Sequence, residues 1–227
     1  MVHRKLFKTL RAHIPKKEFS IITGARQSGK STLLRQLESH CNLNSIPAVF
    51  LNLEHKSLLT ELNENPLNLL RFLPETDKRI IAFVDEVQYL DDASNFLKLL
   101  FDEHNDRVKI VASGSSAFYI DSHFRDSLAG RKRLFHLPTC SFEEYLELGG
   151  KGDLAEEINR IRKGSGYKST LISYLRLEWE SYMVFGGYPA VVTEPDTREK
   201  VEKLKEIRDS FIKRDILESG VQNETAF

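Results

Sequence analysis

Cysteine, long apolar runs and net charge are scarce or absent in this sequence. Only two of the 227 residues are cysteines, Cys41 and Cys140, and neither belongs to a C-x-x-C pair. Two thiols this far apart favour a reducing compartment over a framework of disulfides. No run of 18 apolar residues is present and no apolar segment follows Met1, which predicts neither a membrane span nor a secretory signal. We therefore expect a cytoplasmic protein without a membrane partner.

An excess of charge of either sign is missing as well. Lysine and arginine together number 33, and aspartate and glutamate also number 33, so the formal net charge is zero. This balance counts against a broad basic surface that binds nucleic acid. The seven histidines form no H-E-x-x-H pattern or other paired metal spacing, which predicts no zinc site.

Positive charge is concentrated in the first 17 residues, which contain lysines and arginines but no acidic residue. Apolar side chains recur there at helical spacing, at Val2, Leu6, Leu10 and Ile14. Segment 1–17 is therefore predicted to form a basic amphipathic helix packed on the edge of a domain. A transit peptide and an arm that contacts phosphates share this pattern and are kept as alternatives.

Strands and helices are predicted to alternate from residue 18 to residue 140. Short segments such as IIAFVD (80–85) and VKIVAS (108–113) have the apolar character of strands buried on both faces. This alternation predicts an α/β fold in which helices cover both faces of a parallel sheet. From residue 141 the sequence is mostly helical, starting with a capping box, and 141–227 is expected to form a smaller helical lid and the start of a C-terminal region.

The stretch GARQSGKST contains the pattern G-x-x-x-x-G-K-[ST], after a predicted strand and before a predicted helix. Glycines allow the main chain to turn its N–H groups inward around an anion, and the helix N-terminus adds partial positive charge. Lys30 can then reach the β- and γ-phosphates of a nucleotide, and the Ser31 hydroxyl can bind Mg²⁺. A glycine-rich turn that only caps a helix is the alternative. The predicted nucleotide-binding residues are Gly24, Ala25, Arg26, Gln27, Ser28, Gly29, Lys30, Ser31 and Thr32.

A second motif, IIAFVDEVQ, ends a buried strand with two acids, Asp85 and Glu86. Asp85, at a strand tip beside the phosphate loop, is predicted to hold Mg²⁺, usually through water. Glu86 is predicted to orient and polarise the attacking water. A solvated strand end is the alternative, although unpaired acids are costly to bury. Gln88 either positions water or caps the following segment.

Two further segments carry weaker signals. In VASGSSA, Ser113 or Ser115 could sense the γ-phosphate, whereas Ser115 or Ser116 could equally cap the next helix. In FRDSLAGRKR, a guanidinium that meets the γ-phosphate would act as an arginine finger. From spacing alone, a solvated arginine is favoured for each basic residue of this cluster, namely Arg125, Arg131, Lys132 and Arg133.

Six motifs follow one another along the chain: GARQSGKST, FVDEVQ, ASGSSA, LAGR, SFEEYL and GGYPAVV. In this order they resemble the AAA-type prokaryotic P-loop ATPases whose chains continue into a C-terminal domain of uncharacterised function. The resemblance extends from Lys5 to about Asp215 and implies an AAA+-like P-loop NTPase core. Members of that family usually run well beyond this length, so we expect this sequence to be a fragment or a truncated copy.

The resemblance implies that the protein binds ATP and Mg²⁺ and hydrolyses ATP. The absence of an N-K-x-D pattern, which reads guanine, is consistent with ATP. The resemblance also places a nucleotide sensor within 113–116, Ser115 included. By position it assigns Lys30, Ser31 and Thr32 to the nucleotide, Asp85 and Glu86 to metal and water, and Arg131 to an arginine finger, from its own chain or a neighbouring subunit.

Several functions remain open at this stage. The leading hypothesis is a Mg²⁺-dependent ATPase, with Lys30, Glu86 and Arg131 as catalytic residues, that couples its nucleotide state to an unknown protein partner. A nucleotide-gated switch with slow turnover needs the same site. A nucleic-acid-binding module would use the basic N-terminal segment and the cluster 125–133, against which the neutral net charge counts. Assembly into a homo-oligomer is also left open.

Overall fold

The computed structural model describes residues 4–114, 128–164 and 166–211. Across these ranges, no helix has both the length and the apolar character needed to cross a bilayer. The chain divides into two compact units. Of the described residues, the sheet unit contains 5–25, 29–114 and 128–137, and the helical unit contains 138–164 and 166–211 together with Arg4 and 26–28.

In the part of the chain that the structure describes, the sheet unit is built around five parallel strands in the order β2-β3-β4-β1-β5. Because every described pairing is parallel, the carboxyl ends of all five strands lie at the same edge of the sheet. The strands are β1 (Phe19–Thr23), β2 (Ala48–Asn52), β3 (Ile80–Asp85), β4 (Val108–Gly114) and β5 (Lys132–His136).

Helices cover both faces of this sheet, as the apolar strands predict. Two consecutive residues of β1, Ile21 and Ile22, point to opposite faces of the sheet and enter two different cores. The first core includes Phe96 and Leu100 of α4, and the second includes Leu34 of α2. Within the described residues, the helices of the unit are α1 (Lys5–His13), α2 (Lys30–Leu43), α3 (Lys56–Glu64) and α4 (Ala93–His104), with 3₁₀ turns at Pro66–Phe72 and Val87–Tyr89. The predicted α/β fold is confirmed.

The basic N-terminal segment forms α1, which is shorter than the predicted helix over 1–17. Phe7 and Leu10 are buried in the same core as α2, whereas Lys8 and Arg11 are exposed. The helix is therefore amphipathic and packs its apolar stripe against the sheet unit.

The helical unit begins with the predicted capping box. The Ser141 hydroxyl accepts from the Glu144 N–H, and the Glu144 carboxylate accepts from the Ser141 N–H at 2.9 Å. This exchange satisfies two donors at the first turn of the first helix of the unit. The helices here are α5 (Phe142–Leu148), α6 (Gly152–Lys163), α7 (Ile172–Phe185), α8 (Pro189–Val192) and α9 (Thr197–Phe211).

The GGYP motif shapes a close crossing inside the helical unit. The Cys140 N–H donates to the Gly187 carbonyl at 2.7 Å, and the Tyr182 hydroxyl donates to the Cys140 carbonyl at 2.8 Å. A Cβ atom at Gly187 would lie only 2.2 Å from the Cys140 carbonyl oxygen. Glycine is therefore required at 187 for close approach of two backbone segments, which is a structural role.

A buried lysine lies near the amino-terminal ends of the strands. Lys109, near the start of β4, is fully buried, and its ammonium donates to the Glu18 carbonyl and lies 3.3 Å from Nδ1 of His13. Burial, with a smaller contribution from the charge of Arg79, lowers the pKa of Lys109 to about 7. Burial also lowers the pKa of His13 to about 4.

The first prediction concerns Lys109 and the pH dependence of stability. Between pH 7 and about 10.5 the folded protein holds fewer protons at Lys109 than the unfolded chain does, so the free energy of unfolding rises with pH. From pH 7.0 to 8.5 this contribution is roughly 1.5 kcal/mol. Lys109→Met should abolish the rise, measured by urea unfolding at both pH values. Lys98→Met, at an exposed lysine of α4, should retain it. Equal pH dependence in both variants would contradict the assignment.

Candidate nucleotide-binding site

The phosphate loop connects β1 to α2 at the carboxyl edge of the sheet. Gly29 precedes the first residue of α2 and has φ 95° and ψ 23°, a left-handed conformation that glycine adopts without a Cβ penalty. The Lys30 side chain is almost fully buried, and its ammonium donates to the carbonyls of Gly24 at 3.0 Å and Ala25 at 2.9 Å. The lysine is therefore folded back over the loop that precedes it.

The polar groups of the loop fit a phosphate. Ser28 is completely buried, and its hydroxyl has no hydrogen-bond partner within the described parts of the chain. A buried hydroxyl without a partner costs about 1–3 kcal/mol, a cost that a bound phosphate oxygen would remove. Ser31 and Thr32 are exposed on the first turn of α2, where helix N–H groups favour an anion.

One serine of β4 holds both acids of the second motif. Asp85 ends β3 and its side chain is buried. The Ser113 hydroxyl donates to the Asp85 carboxylate and accepts from the Glu86 main-chain N–H at 3.2 Å. Ser113 is one of the two serines predicted from the sequence to sense the γ-phosphate. In the structure it contacts Asp85 and the main chain of Glu86.

Glu86 has a strained main chain. Its φ of 61° and ψ of 46° lie in the left-handed region, which non-glycine residues rarely adopt. The Gln88 side-chain amide donates to the Glu86 carboxylate. Strain of this kind is typical of functional sites, where the surrounding structure holds a side chain in a working position. Gln88 is thus a partner of Glu86.

The strand order separates the loop from the acids by one strand. β4 pairs with β1 on one side and with β3 on the other, so Asp85 is not on the strand next to the phosphate loop. With neighbouring strands about 4.8 Å apart, the ends of β1 and β3 are about 10 Å apart. This corrects the expectation that Asp85 lies directly beside the loop, and it explains why Ser113 contacts the acids. Asn52 also lies at this edge, in register with Asp85.

Arg131 lies at the amino-terminal ends of the strands, whereas the phosphate loop lies at their carboxyl ends. Its carbonyl accepts from the Phe19 N–H at the start of β1, whereas the phosphate loop follows Thr23 at the end of β1, about 15 Å away along the strand. Its guanidinium makes two bonds to Asp102 of α4, with Nε–Oδ1 at 2.6 Å and Nη2–Oδ2 at 3.1 Å. The structure therefore does not bring Arg131 to the phosphate loop of its own chain.

Some predicted site residues are not described by the structure, and some residues near the site were not predicted from the sequence. Ser115, Ser116 and Arg125 lie outside the described residues. Sequence patterns missed Arg4, whose guanidinium donates to the Ser28 carbonyl at 2.8 Å. Nothing distinguishes Arg4 from the other basic residues of the N-terminal segment in the sequence. Asn52 could have been found as a polar residue that ends an apolar strand.

Comparison with known proteins gives a family and several relatives. The sequence model of one family, described as an AAA domain, matches residues 16–146. An uncharacterised protein of Methanocaldococcus jannaschii is 28% identical over 210 residues, which make up 90% of this chain and 43% of that protein. An uncharacterised protein of Haemophilus influenzae is 26% identical over 201 residues, or 86% and 45% of the two chains.

Solved structures include distant neighbours. PCH-2 of C. elegans aligns with a TM-score of 0.45 and 21% identity, covering 69% of this chain and 45% of that chain. The chain spans less than half the length of the curated relatives just described.

Proposed function

The chain belongs to the AAA domain family of nucleotide-binding P-loop ATPases, and from this premise we propose that it binds ATP with Mg²⁺ and hydrolyses it. One observation carries the proposal. A phosphate loop with its lysine and a pair of acids joined by a serine are found at the same edge of one parallel sheet. Ligands of open α/β sheets bind at this carboxyl edge.

In this proposal the phosphate loop binds the polyphosphate. The main-chain N–H groups of 24–29 and the first turn of α2 surround the β-phosphate, and Lys30 exchanges its bonds to the Gly24 and Ala25 carbonyls for phosphate oxygens. The buried hydroxyl of Ser28 gains a partner in the same step. Thr32, exposed one residue beyond Ser31, is within the turn that faces the α-phosphate.

The acids act on the metal and on water. Mg²⁺ takes hard oxygen ligands and keeps several waters, and Ser31 and Asp85 offer a hydroxyl and a carboxylate that would hold it. When bound, the ion neutralises charge that develops on the phosphate oxygens. Glu86 orients the attacking water and accepts its proton, and Ser113 keeps Glu86 and Asp85 in register.

A neighbouring copy of the chain completes the site. We assign Arg131 to the active site of an adjacent subunit, since it lies about 15 Å from the loop of its own chain. An arginine that stabilises the transition state from a second subunit makes hydrolysis depend on assembly. We also propose that the helical unit binds a protein partner, whose binding depends on the nucleotide state.

The second prediction tests the proposal through Lys30. Lys30→Ala should weaken binding of ATP with Mg²⁺ by roughly tenfold or more, because a charged donor to the phosphates is lost. Phosphate release should fall to background. Lys56→Ala is the matched control, since Lys56 is also the first residue of a helix but is exposed at the start of α3. Equal phosphate release from the wild type and both variants would remove the claim of hydrolysis.

A further inference from the structure

Arg4 contacts the phosphate loop from the chain segment before α1. Its side chain is 11% exposed. One terminal nitrogen, Nη1, donates to the Ser28 carbonyl at 2.8 Å, and the other, Nη2, donates to the Pro138 carbonyl at 2.7 Å. Nε lies 3.0 Å from Oε1 of Glu144. All four residues belong to the helical unit.

The bond from Arg4 to the Ser28 carbonyl sets the direction of the Gly29 N–H. In a trans peptide the C=O and the following N–H point in opposite directions, and no cis peptide is present among the described residues. A donor on the Ser28 carbonyl therefore directs the Gly29 N–H away from Arg4. In a phosphate loop the N–H groups must face the anion while the carbonyls find donors elsewhere. Arg4 supplies such a donor to the Ser28 carbonyl, and unlike the bonds of Lys30 to the Gly24 and Ala25 carbonyls, this bond is not exchanged for a phosphate oxygen.

Glu144 holds the guanidinium in place. Its side chain is 6% exposed, so the pair with Arg4 is shielded from solvent and differs from a surface ion pair. The other carboxylate oxygen, Oε2, accepts from the Ser141 N–H at 2.9 Å, which fixes the acid at the start of α5. Arg4 Nε has no hydrogen-bond partner among the described residues, so Glu144 acts on the guanidinium through charge, as an ion pair.

We propose that Arg4 is a positioning residue for the phosphate loop, which it serves by holding the Ser28 carbonyl so that the Gly29 N–H is directed at the bound phosphate. This inference rests on the proposed nucleotide binding. Arg4 does not itself touch the nucleotide. Its loss therefore changes the affinity for ATP through the conformation of the loop.

Arg79 provides a matched control at the opposite edge of the sheet. It lies before β3 and donates to two main-chain carbonyls, those of Lys16 and Lys17, at 3.0 Å and 3.1 Å. Arg79→Ala therefore removes the same kind of contact as Arg4→Ala, but far from the loop. A general loss of stability from missing arginine–carbonyl bonds should affect both variants.

The third prediction is made by titrating the full chain with ATP and Mg²⁺ in a calorimeter. Arg4→Ala should raise the dissociation constant about tenfold or more, whereas Arg79→Ala should change it less than about twofold. Hydrogen exchange measured without nucleotide should accelerate in peptide 24–32 in Arg4→Ala alone. Glu144→Gln keeps an oxygen for the Ser141 N–H and removes the charge, so it should weaken binding in the same direction by a smaller factor.

The outcomes separate the two proposals. If the wild type does not bind ATP, the proposed function fails and this inference fails with it. If the wild type binds and Arg4→Ala, folded by its thermal midpoint, binds equally well, only the role of Arg4 is overturned. Should Arg4→Ala prove unfolded, Glu144→Gln decides, and unchanged affinity in that variant overturns the inference. Equal weakening in Arg4→Ala and Arg79→Ala also overturns it.

Discussion

Glu86→Gln is expected to lower steady-state ATP hydrolysis by roughly a hundred- to ten-thousand-fold while ATP binding persists. The amide has almost the shape of the carboxylate, so the left-handed turn at 86 and the contact with Ser113 through the main chain are retained. What is lost is the group that accepts a proton from the attacking water. Phosphate release and ATP affinity, measured on the same preparation, check this fourth prediction.

Glu54→Gln is the control for Glu86. Glu54 follows β2 at the same edge of the sheet and is exposed, and its carboxylate accepts from the Asn52 side-chain amide at 3.4 Å, a bond that the glutamine oxygen can keep. It should hydrolyse ATP at the wild-type rate. Undiminished turnover in Glu86→Gln would contradict the role of Glu86 as the base. Single-turnover hydrolysis in the wild type that is much slower than nucleotide exchange would identify the protein as a slow switch instead.

Arg131→Ala is expected to reduce hydrolysis by about a thousandfold or more, because an arginine finger stabilises charge in the transition state. Binding of ATP should be almost unchanged, since Arg131 lies at the far edge of the sheet in its own chain. Arg133→Ala is the control, at an exposed residue of β5 two positions after Arg131. Phosphate release at protein concentrations above and below those at which the chain assembles checks this fifth prediction.

Mixing variants tests whether the arginine comes from another subunit. Arg131→Ala and Glu86→Gln should each be inactive alone. A mixed assembly brings an intact Glu86 from one subunit together with an intact Arg131 from its neighbour, so activity should return. If Arg131→Ala hydrolyses ATP at the wild-type rate, its bonds to Asp102 are structural only. If both variants are inactive and the mixture stays inactive, the assignment to a neighbouring subunit is wrong.

Much of the fold could be predicted because its signals are local. A strand buried on both faces needs an apolar residue at nearly every position, as in β3, where all six residues are buried. The phosphate loop was recognisable because glycine, lysine and hydroxyl residues must follow in a fixed spacing between a strand and a helix. The capping box over 141–144 depends on two residues three positions apart, and the structure contains it.

Other features could not be predicted because they join residues that are distant in the sequence. No local pattern indicates that β4 lies between β1 and β3, although this order explains why Ser113 holds Asp85. The sequence favoured neither Ser113 nor Ser115 for the sensor. Only the contact between Ser113 and the acids distinguishes Ser113, and Ser115 remains a prediction.

The amino-acid sequence by itself determined which segments could turn, which had to be buried and where acids and a lysine interrupt apolar strands, since each depends on neighbouring residues. The tertiary structure alone decided which of these groups meet. It placed Arg131 against Asp102, away from its own phosphate loop, and it placed Arg4 on the Ser28 carbonyl. The physical reason is that strand order and register arise from packing across the whole sheet, which no short stretch of sequence specifies.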